Sequence, residues 1–446
     1  MNASPPALTG TYTNVVELIG ALARTGQLRV RALAHDSHVR QRLMQLDGVE
    51  LIAGDAKGPT AARNRPSVDL VHRPFQILST PELTFLHRAG ERLVVTNLDL
   101  IGYRNPAYFA SGCEFESYRQ LTRRALALAD HVVFPSAHAL ADALADDLVD
   151  PQRASVVGIG VDHPVLRETR HAVRPPAAAR LPERAEMILC LGTDYRHKNR
   201  MFALRVLEQL QRRHGWNGYL VFAGPHVPHG SSAVEEAECL GHVPELAQRT
   251  IDVGPVAEEE KLWLLRRAGL VIYPTVYEGF GLVPFEAAAH DVPCMWAAGT
   301  ALAEVLPEAE APIVPWDAAG AADHALELLR GRDEAQRNVA LVRAAGEGAT
   351  WDLVARRLLE IYHATCDRPR SAVGALERMA PAASVSDDGL RLVGPDGALP
   401  ADLERPLLAL ATHPRIGAPV FGAIRSGYRA ARLTRRVVSR SRGRVA

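Results

Sequence analysis

Residues 271–293 read Val-Ile-Tyr-Pro-Thr-Val-Tyr-Glu-Gly-Phe-Gly-Leu-Val-Pro-Phe-Glu-Ala-Ala-Ala-His-Asp-Val-Pro. A short apolar run, a loop with two glycines and an alanine-rich stretch opened by proline predict a buried strand, a turn and a helix starting near Pro284. A strand that feeds a glycine loop into a helix N-terminus presents backbone N–H groups to an anion. Glu278 and Glu286 stand on either side of Gly279, Phe280 and Gly281. Carboxylates on both sides of an anion site fit a ligand that carries both phosphate and hydroxyl groups. A sugar nucleotide is such a ligand.

Working outward, apolar runs alternate with helical stretches from early in the chain to about residue 366. The first half offers strands at Leu28–Ala34, Val49–Ala53, Val68–His72, Leu93–Thr96, His131–Pro135 and Ser155–Val157, with helices such as Val15–Arg24 and Tyr118–Ala129 between them. Arg174-Pro-Pro-Ala-Ala-Ala-Arg180 interrupts the pattern as a linker. A second series follows at Met187–Leu191, Gly218–Ala223, Ile251–Val253, Leu270–Tyr273, Val292–Ala297 and Ile313–Val314. Its helices include Arg200–His214, Glu258–Arg267, Ala301–Leu306 and Ala319–Leu329. This patterning predicts an α/β fold of two doubly wound, mostly parallel halves facing across a cleft, with ligands at the carboxyl ends of the strands. The expected division is residues 1–173, 174–350, a helix at 351–368 that returns to the first half, and a linker and tail over 369–446.

Composition narrows the function classes. The 446-residue chain has a formal net charge of zero, yet Arg425 to Ala446 holds eight arginines and no acid or lysine. The rest of the chain is therefore acidic on balance, and any basic partner surface belongs to the tail. Five cysteines lie scattered without a CxxC pair, which argues for a reducing compartment and against a zinc site. No apolar run reaches the ~18 residues of a membrane span, and no signal-peptide pattern opens the chain. A cytoplasmic protein is expected. Only three lysines occur, Lys57, Lys198 and Lys261, against 48 arginines, so each lysine is informative.

Three words of the opening stretch, Tyr277-Glu278-Gly279-Phe280-Gly281-Leu282, Glu286-Ala287 and Asp291-Val292-Pro293, together resemble the donor-binding signature of the retaining, family 4 glycosyltransferases with the two-domain GT-B fold. The resemblance is close over about residues 187–300 and loose over about 9–366. It implies that Glu286 accepts hydrogen bonds from ribose hydroxyls and that Glu278 contacts the donor sugar near its reacting carbon. Backbone N–H groups of Gly279, Phe280, Gly281, Leu282 and Val283 would hold phosphate and sugar oxygens. Leu189-Cys-Leu-Gly-Thr-Asp-Tyr-Arg-His-Lys-Asn199 is similar to the family's phosphate loop. There Gly192 permits a tight strand exit, and Arg196 and Lys198 would offset the charge growing on a leaving diphosphate. Ala223-Gly224-Pro225 and Asp252-Val253-Gly254-Pro255-Val256 resemble cleft-lining strand ends, with the backbone from Val253 facing the base.

The acceptor half matches more weakly. Thr9-Gly10-Thr11-Tyr12 resembles the family's N-terminal glycine loop, with Gly10 near the donor phosphates. Met1 to Leu8 carries two prolines and no strand pattern where the family has an apolar strand, so either the start is truncated or the sheet lacks its first strand, and an incorrectly placed start is the expectation. Val94-Val-Thr-Asn-Leu-Asp-Leu100 places Leu98 where many relatives have a histidine, and leaves Asp99 to orient an acceptor hydroxyl or to cap the following turn. Tyr103-Arg104-Asn105-Pro106 and His72-Arg73-Pro74 are candidates for the acceptor pocket, with His72 alone reading as a structural strand-end residue.

The resemblance implies transfer of a sugar, with retention, from a nucleotide diphosphate sugar to a hydroxyl of a glycan or lipid-linked glycan, in cell-surface polysaccharide synthesis. No metal and no other cofactor is expected, and the leaving diphosphate would serve as base. A phosphorylase of this architecture needs a lysine for pyridoxal phosphate, and Lys261 sits among helix formers. The alternative is a catalytically silent GT-B protein that binds a sugar nucleotide or a partner enzyme. The tail Arg425–Ala446 reads as a basic amphipathic helix on the inner membrane face or as a disordered arm. Nucleic acid is not an expected partner.

Overall fold

A computed structural model describes residues 10–34, 36–52, 68–162, 173–306, 313–371 and 373–374. Met1 to Leu8, the loop-like stretch Pro381–Pro400 with its hairpin-like piece from Leu390, and the tail Arg425–Ala446 lie outside the described residues. No described helix is long and apolar enough to cross a membrane.

Eleven strands are described: β1 (Val30–Ala32), β2 (Val49–Leu51), β3 (Val68–Arg73), β4 (Gly90–Thr96), β5 (His131–Phe134), β6 (Ala154–Val156), β7 (Met187–Leu191), β8 (Tyr219–Ala223), β9 (Thr250–Asp252), β10 (Leu270–Tyr273) and β11 (Cys294–Trp296). Every strand pair is parallel. The second half holds one sheet in the order β11-β10-β7-β8-β9. The first half holds β3-β4-β5-β6 and a separate pair β1-β2. This is the α/β, doubly wound arrangement the alternation of elements predicts.

Burial explains why the strands read as unbroken apolar runs. Along β7, Met187, Leu189 and Leu191 enter one core and Ile188 and Cys190 the other, so helices cover both faces. Several bounds move outward from the sequence expectation. The first helix starts at Gly10, not Val15, and the helix expected from Tyr118 starts at Gly112, capped by Ser111. The expected last strand shrinks to one bridge between Ala297 and Ile313.

The helix Trp351–Asp367 lies against the helix Gly10–Arg24. Trp351, Val354, Leu358 and Tyr362 join Leu18, Leu22, Val94 and Val133 in one core. Tyr362 OH lies 2.6 Å from His72 Nδ1, and Thr96 Oγ1 lies 2.8 Å from Nε2. His72 therefore staples β3, β4 and this helix together.

Burial pushes the His72 pKa down to about 3, and burial with the neighbouring Lys198 charge pushes His197 down to about 3 as well. Both rings are neutral in the folded protein, while in the unfolded chain they protonate near 6.5. As pH falls below about 6.5 the unfolded state takes up protons first, so stability is lost on the acid side. Each ring costs about 2 kcal/mol at pH 5. Urea midpoints should fall between pH 7 and pH 5; an unchanged midpoint would contradict the neutral assignment.

Candidate active site

The chain runs outward from β7 to β8 and β9, then returns to β10 on the other side of β7. The winding reverses between β7 and β10, and ligands of open α/β sheets bind at such a point, beyond the strand carboxyl ends. The loop after β7 carries Lys198 and the loop after β10 carries Glu278. Their side chains meet, with Lys198 Nζ 2.5 Å from Glu278 Oε1. Tyr273, the last residue of β10, donates its hydroxyl to the same oxygen at 2.6 Å and accepts from Lys198 at 3.3 Å. Burial opposes ionisation of Glu278, but the Lys198 charge and the two hydrogen bonds outweigh it and hold the carboxyl below its ordinary value. Burial and the adjacent Glu278 charge raise the Tyr273 phenol, so it stays a donor.

Local sequence sets this geometry. The short turn Arg196–Lys198 ends at Asn199 in the left-handed region, φ 56°, a conformation asparagine tolerates better than most residues. The chain then enters the helix Arg200–His214. After β10, Glu278 N donates to Thr300 Oγ1 at 3.2 Å, which anchors the loop start. The N–H groups of Gly279, Phe280, Gly281 and Leu282 donate to no described residue. Gly281 has φ 98°, and Leu282 leads into the helix Val283–Ala289. A row of four such N–H groups beside a lysine is suited to phosphate oxygens.

The second glutamate repeats the device. Glu286 is buried and accepts from Lys261 Nζ at 3.2 Å, and Lys261 also pairs with Glu258 at 2.9 Å. The two described lysines are thus the partners of the two glutamates in the opening stretch. The sequence reading gives Lys261 no site role, although the scarcity of lysine marks it. Tyr273 and Thr300 were missed too, because nothing local marks them.

The other expected residues fall in three groups. Gly192 leaves β7 with its N–H on Ala223 O at 2.9 Å, and Val253 lies at the same sheet edge, its N–H on Phe222 O at 3.0 Å. Phe280 turns its ring into the core against Phe285, 6.1 Å between centroids, so only its backbone faces the loop. Val283 opens the short helix. A Cβ on Gly10 would lie 3.6 Å from Leu282 Cδ1, so the first helix starts against this loop. Arg196 does not join Lys198. Its guanidinium turns outward to Glu235, 2.5 Å away, and stays half exposed.

Asp99 comes from the first half. Its Oδ1 accepts from Ile101 N at 2.9 Å, so it caps the next turn. Burial raises its pKa, Ile101 opposes this, and the Glu278 charge adds to the rise. Leu98 has a backbone role: its carbonyl oxygen would lie 1.9 Å from a Cβ on Gly279, so only glycine fits there. Tyr277 OH bonds to Asp142, and Glu304 accepts from Ala137 N and His138 N at 2.9 and 3.1 Å. These contacts close the two halves on one another. Of the residues considered for an acceptor pocket, Tyr103 is buried under Arg123, Arg104 pairs with Asp142, and Arg73 pairs with Glu82.

A family model described as "Family 4 Glycosyltransferase in conflict systems" matches residues 102–358. The D-inositol 3-phosphate glycosyltransferase of Thermomonospora curvata is 30% identical over 241 residues, 51% of this chain and 56% of that protein. The glycogen synthase of Mycobacterium tuberculosis is 31% identical over 206 residues, 44% of this chain and 47% of that protein. The chain spans about half the length of these curated relatives. Among solved structures, Anabaena HepE in complex with UDP-glucose superposes with a TM-score of 0.59 at 14% identity, covering 80% of this chain and 96% of that one. That likeness is one of fold, the two-domain GT-B architecture. With the family model spanning more than half of its residues, the chain belongs to the family 4 glycosyltransferases of conflict systems.

Proposed function

We propose that this protein transfers a sugar from a nucleotide diphosphate sugar to a hydroxyl of a glycan or lipid-linked glycan, with retention of configuration. The observation that carries the reading is the Lys198–Glu278 pair at the reversal of the sheet, next in the chain to the N–H groups of Gly279 to Leu282, which donate to no described residue. The lysine and the N–H row supply positive charge for a diphosphate, and Glu278 supplies an acceptor for a sugar hydroxyl. Glu286 is a fixed carboxylate for the ribose. No metal is part of the proposal, and the leaving diphosphate takes the acceptor proton. The setting we propose is polysaccharide synthesis on the cytoplasmic side, with Arg425–Ala446 as a peripheral membrane contact.

Calorimetry with UDP-, GDP- and dTDP-sugars tests the donor. At least one should bind with a Kd below about 1 mM. Glu286→Ala should weaken it by roughly 10- to 100-fold, the worth of hydrogen bonds to a charged group. No heat with any of them overturns the reading. Binding without hydrolysis or transfer instead supports a silent sugar-nucleotide binder.

A further inference from the structure

Tyr108 ends the short turn Pro106–Tyr108 in the first half, yet its side chain is seated in the second. Its hydroxyl lies 2.8 Å from His197 Nδ1. Its ring meets Tyr195 edge-on at 5.0 Å and His197 at 5.7 Å, while Tyr195 and His197 stack on each other at 5.4 Å. The floor is Gly230, with φ 70°. A Cβ there would come 2.1 Å from Tyr108 Cδ1, so both the backbone and the space require glycine.

This socket is tied to the candidate site by backbone hydrogen bonds. Gly230 O accepts from Arg196 N at 2.8 Å, and Tyr195 O from Lys198 N at 2.8 Å. On its other side, His197 O accepts from Val276 N at 2.8 Å and from Thr275 Oγ1 at 3.2 Å. The turn that holds Lys198 therefore also holds the segment leading to Glu278. Tyr108 is the side chain from the opposite half that braces this turn through an aromatic ring and a hydrogen bond together.

We propose that Tyr108 is a positioning residue for sugar transfer: seated in the Tyr195–His197–Gly230 socket as the halves close, it fixes the turn that sets Lys198 against Glu278. The proposal rests on the glycosyl-transfer reading. Tyr108 touches neither Lys198 nor Glu278 by hydrogen bond and acts through His197. Lys198, Glu278 and Glu286 all belong to the second half, and Tyr108 reaches them only through the turn, so its loss should slow the reacting step more than it weakens donor binding.

The test compares Tyr108→Phe, Tyr108→Ala, Gly230→Ala and the double variant Tyr108→Ala/Gly230→Ala. Tyr108→Phe keeps the ring and loses the hydrogen bond, and kcat should fall about 3- to 10-fold. Tyr108→Ala and Gly230→Ala should each lower kcat by roughly 10- to 100-fold, because one removes the ring and the other's Cβ displaces it. Donor Kd should rise by less than kcat falls, and the double variant should be no worse than the poorer single one, since coupled sites are not additive. Additive losses, or a fall in donor affinity equal to the fall in kcat, overturn the proposal. A second readout needs no activity. Amide exchange at Val276, whose N–H bonds to His197 O, should speed up in Tyr108→Ala while β10 stays protected. Unchanged exchange at Val276 overturns the positioning role. Faster exchange in a protein that transfers no sugar overturns the transfer reading and leaves the bracing of the turn standing.

Discussion

Replacing Glu278 by glutamine is expected to slow sugar transfer by about 100- to 1,000-fold, the range for removing one preorganised electrostatic partner of a reacting group. Glutamine keeps the shape, so the change removes charge. In the native protein Glu278 accepts from Lys198 and Tyr273 at once, and its carboxyl is held below its ordinary pKa in a buried site. In the variant Lys198 loses its anionic partner and keeps only a neutral amide oxygen and the Tyr273 hydroxyl as acceptors, so its ammonium is held less firmly beside the loop. Initial rates at saturating donor measure the effect. A variant within about 3-fold of the native rate would place the chemistry elsewhere. Lys198→Met should be worse for stability than Glu278→Gln, because it strands a buried carboxylate, at a cost of about 3–5 kcal/mol.

A stability effect of similar size should come from Arg200, a residue outside the donor loop. It is 1% exposed, and its Nη2 lies 3.0 Å from Glu236 and 2.5 Å from Asp252, with its guanidinium 4.1 Å over the Phe222 ring. It joins the helix Arg200–His214, the helix Ala233–His242 and the end of β9. Arg200→Leu strands the buried Glu236 carboxylate beside the exposed Asp252 and should cost about 3–5 kcal/mol. In thermal melts that is a drop of roughly 10 °C. Adding Glu236→Gln and Asp252→Asn should restore most of the loss, since the penalty is the stranded charge and not the missing contact. A single variant melting within about 2 °C of the native protein would show that the pair contributes little.

Both results turn on pairs that differ in how visible they were. Met187–Leu191, Leu270–Tyr273, Arg200–His214 and Glu258–Arg267 have the same bounds in the sequence reading and in the structure. These elements are apolar strands buried on both faces, or helices with one apolar stripe, so their period is written in the residues themselves. Glu278, Glu286 and Lys198 were legible because the glycine loop and the scarcity of lysine single them out. The pairing of Lys198 with Glu278 was not, since eighty positions of chain separate them and only the parallel adjacency of β7 and β10 brings them together. Arg196 shows the converse. Its place beside Lys198 in sequence suggested a shared task, but a short turn sends successive side chains in different directions, and it faces Glu235.

What the sequence determined by itself is therefore local: the strands, the helices, the glycine loop between strand and helix, and the residue types able to hold phosphate and hydroxyls. Periodicity, glycine and capping act over a few residues and need no distant partner. The tertiary structure decided which side chains share charge and which half each one serves. It set Lys261 on Glu286, made Asp99 a turn cap, turned Leu98 into a backbone neighbour of Gly279, and carried Tyr108 across into a socket of the opposite half. Ion pairing and close backbone approach depend on distance in space, and that is fixed only when the sheets are ordered and the two halves close.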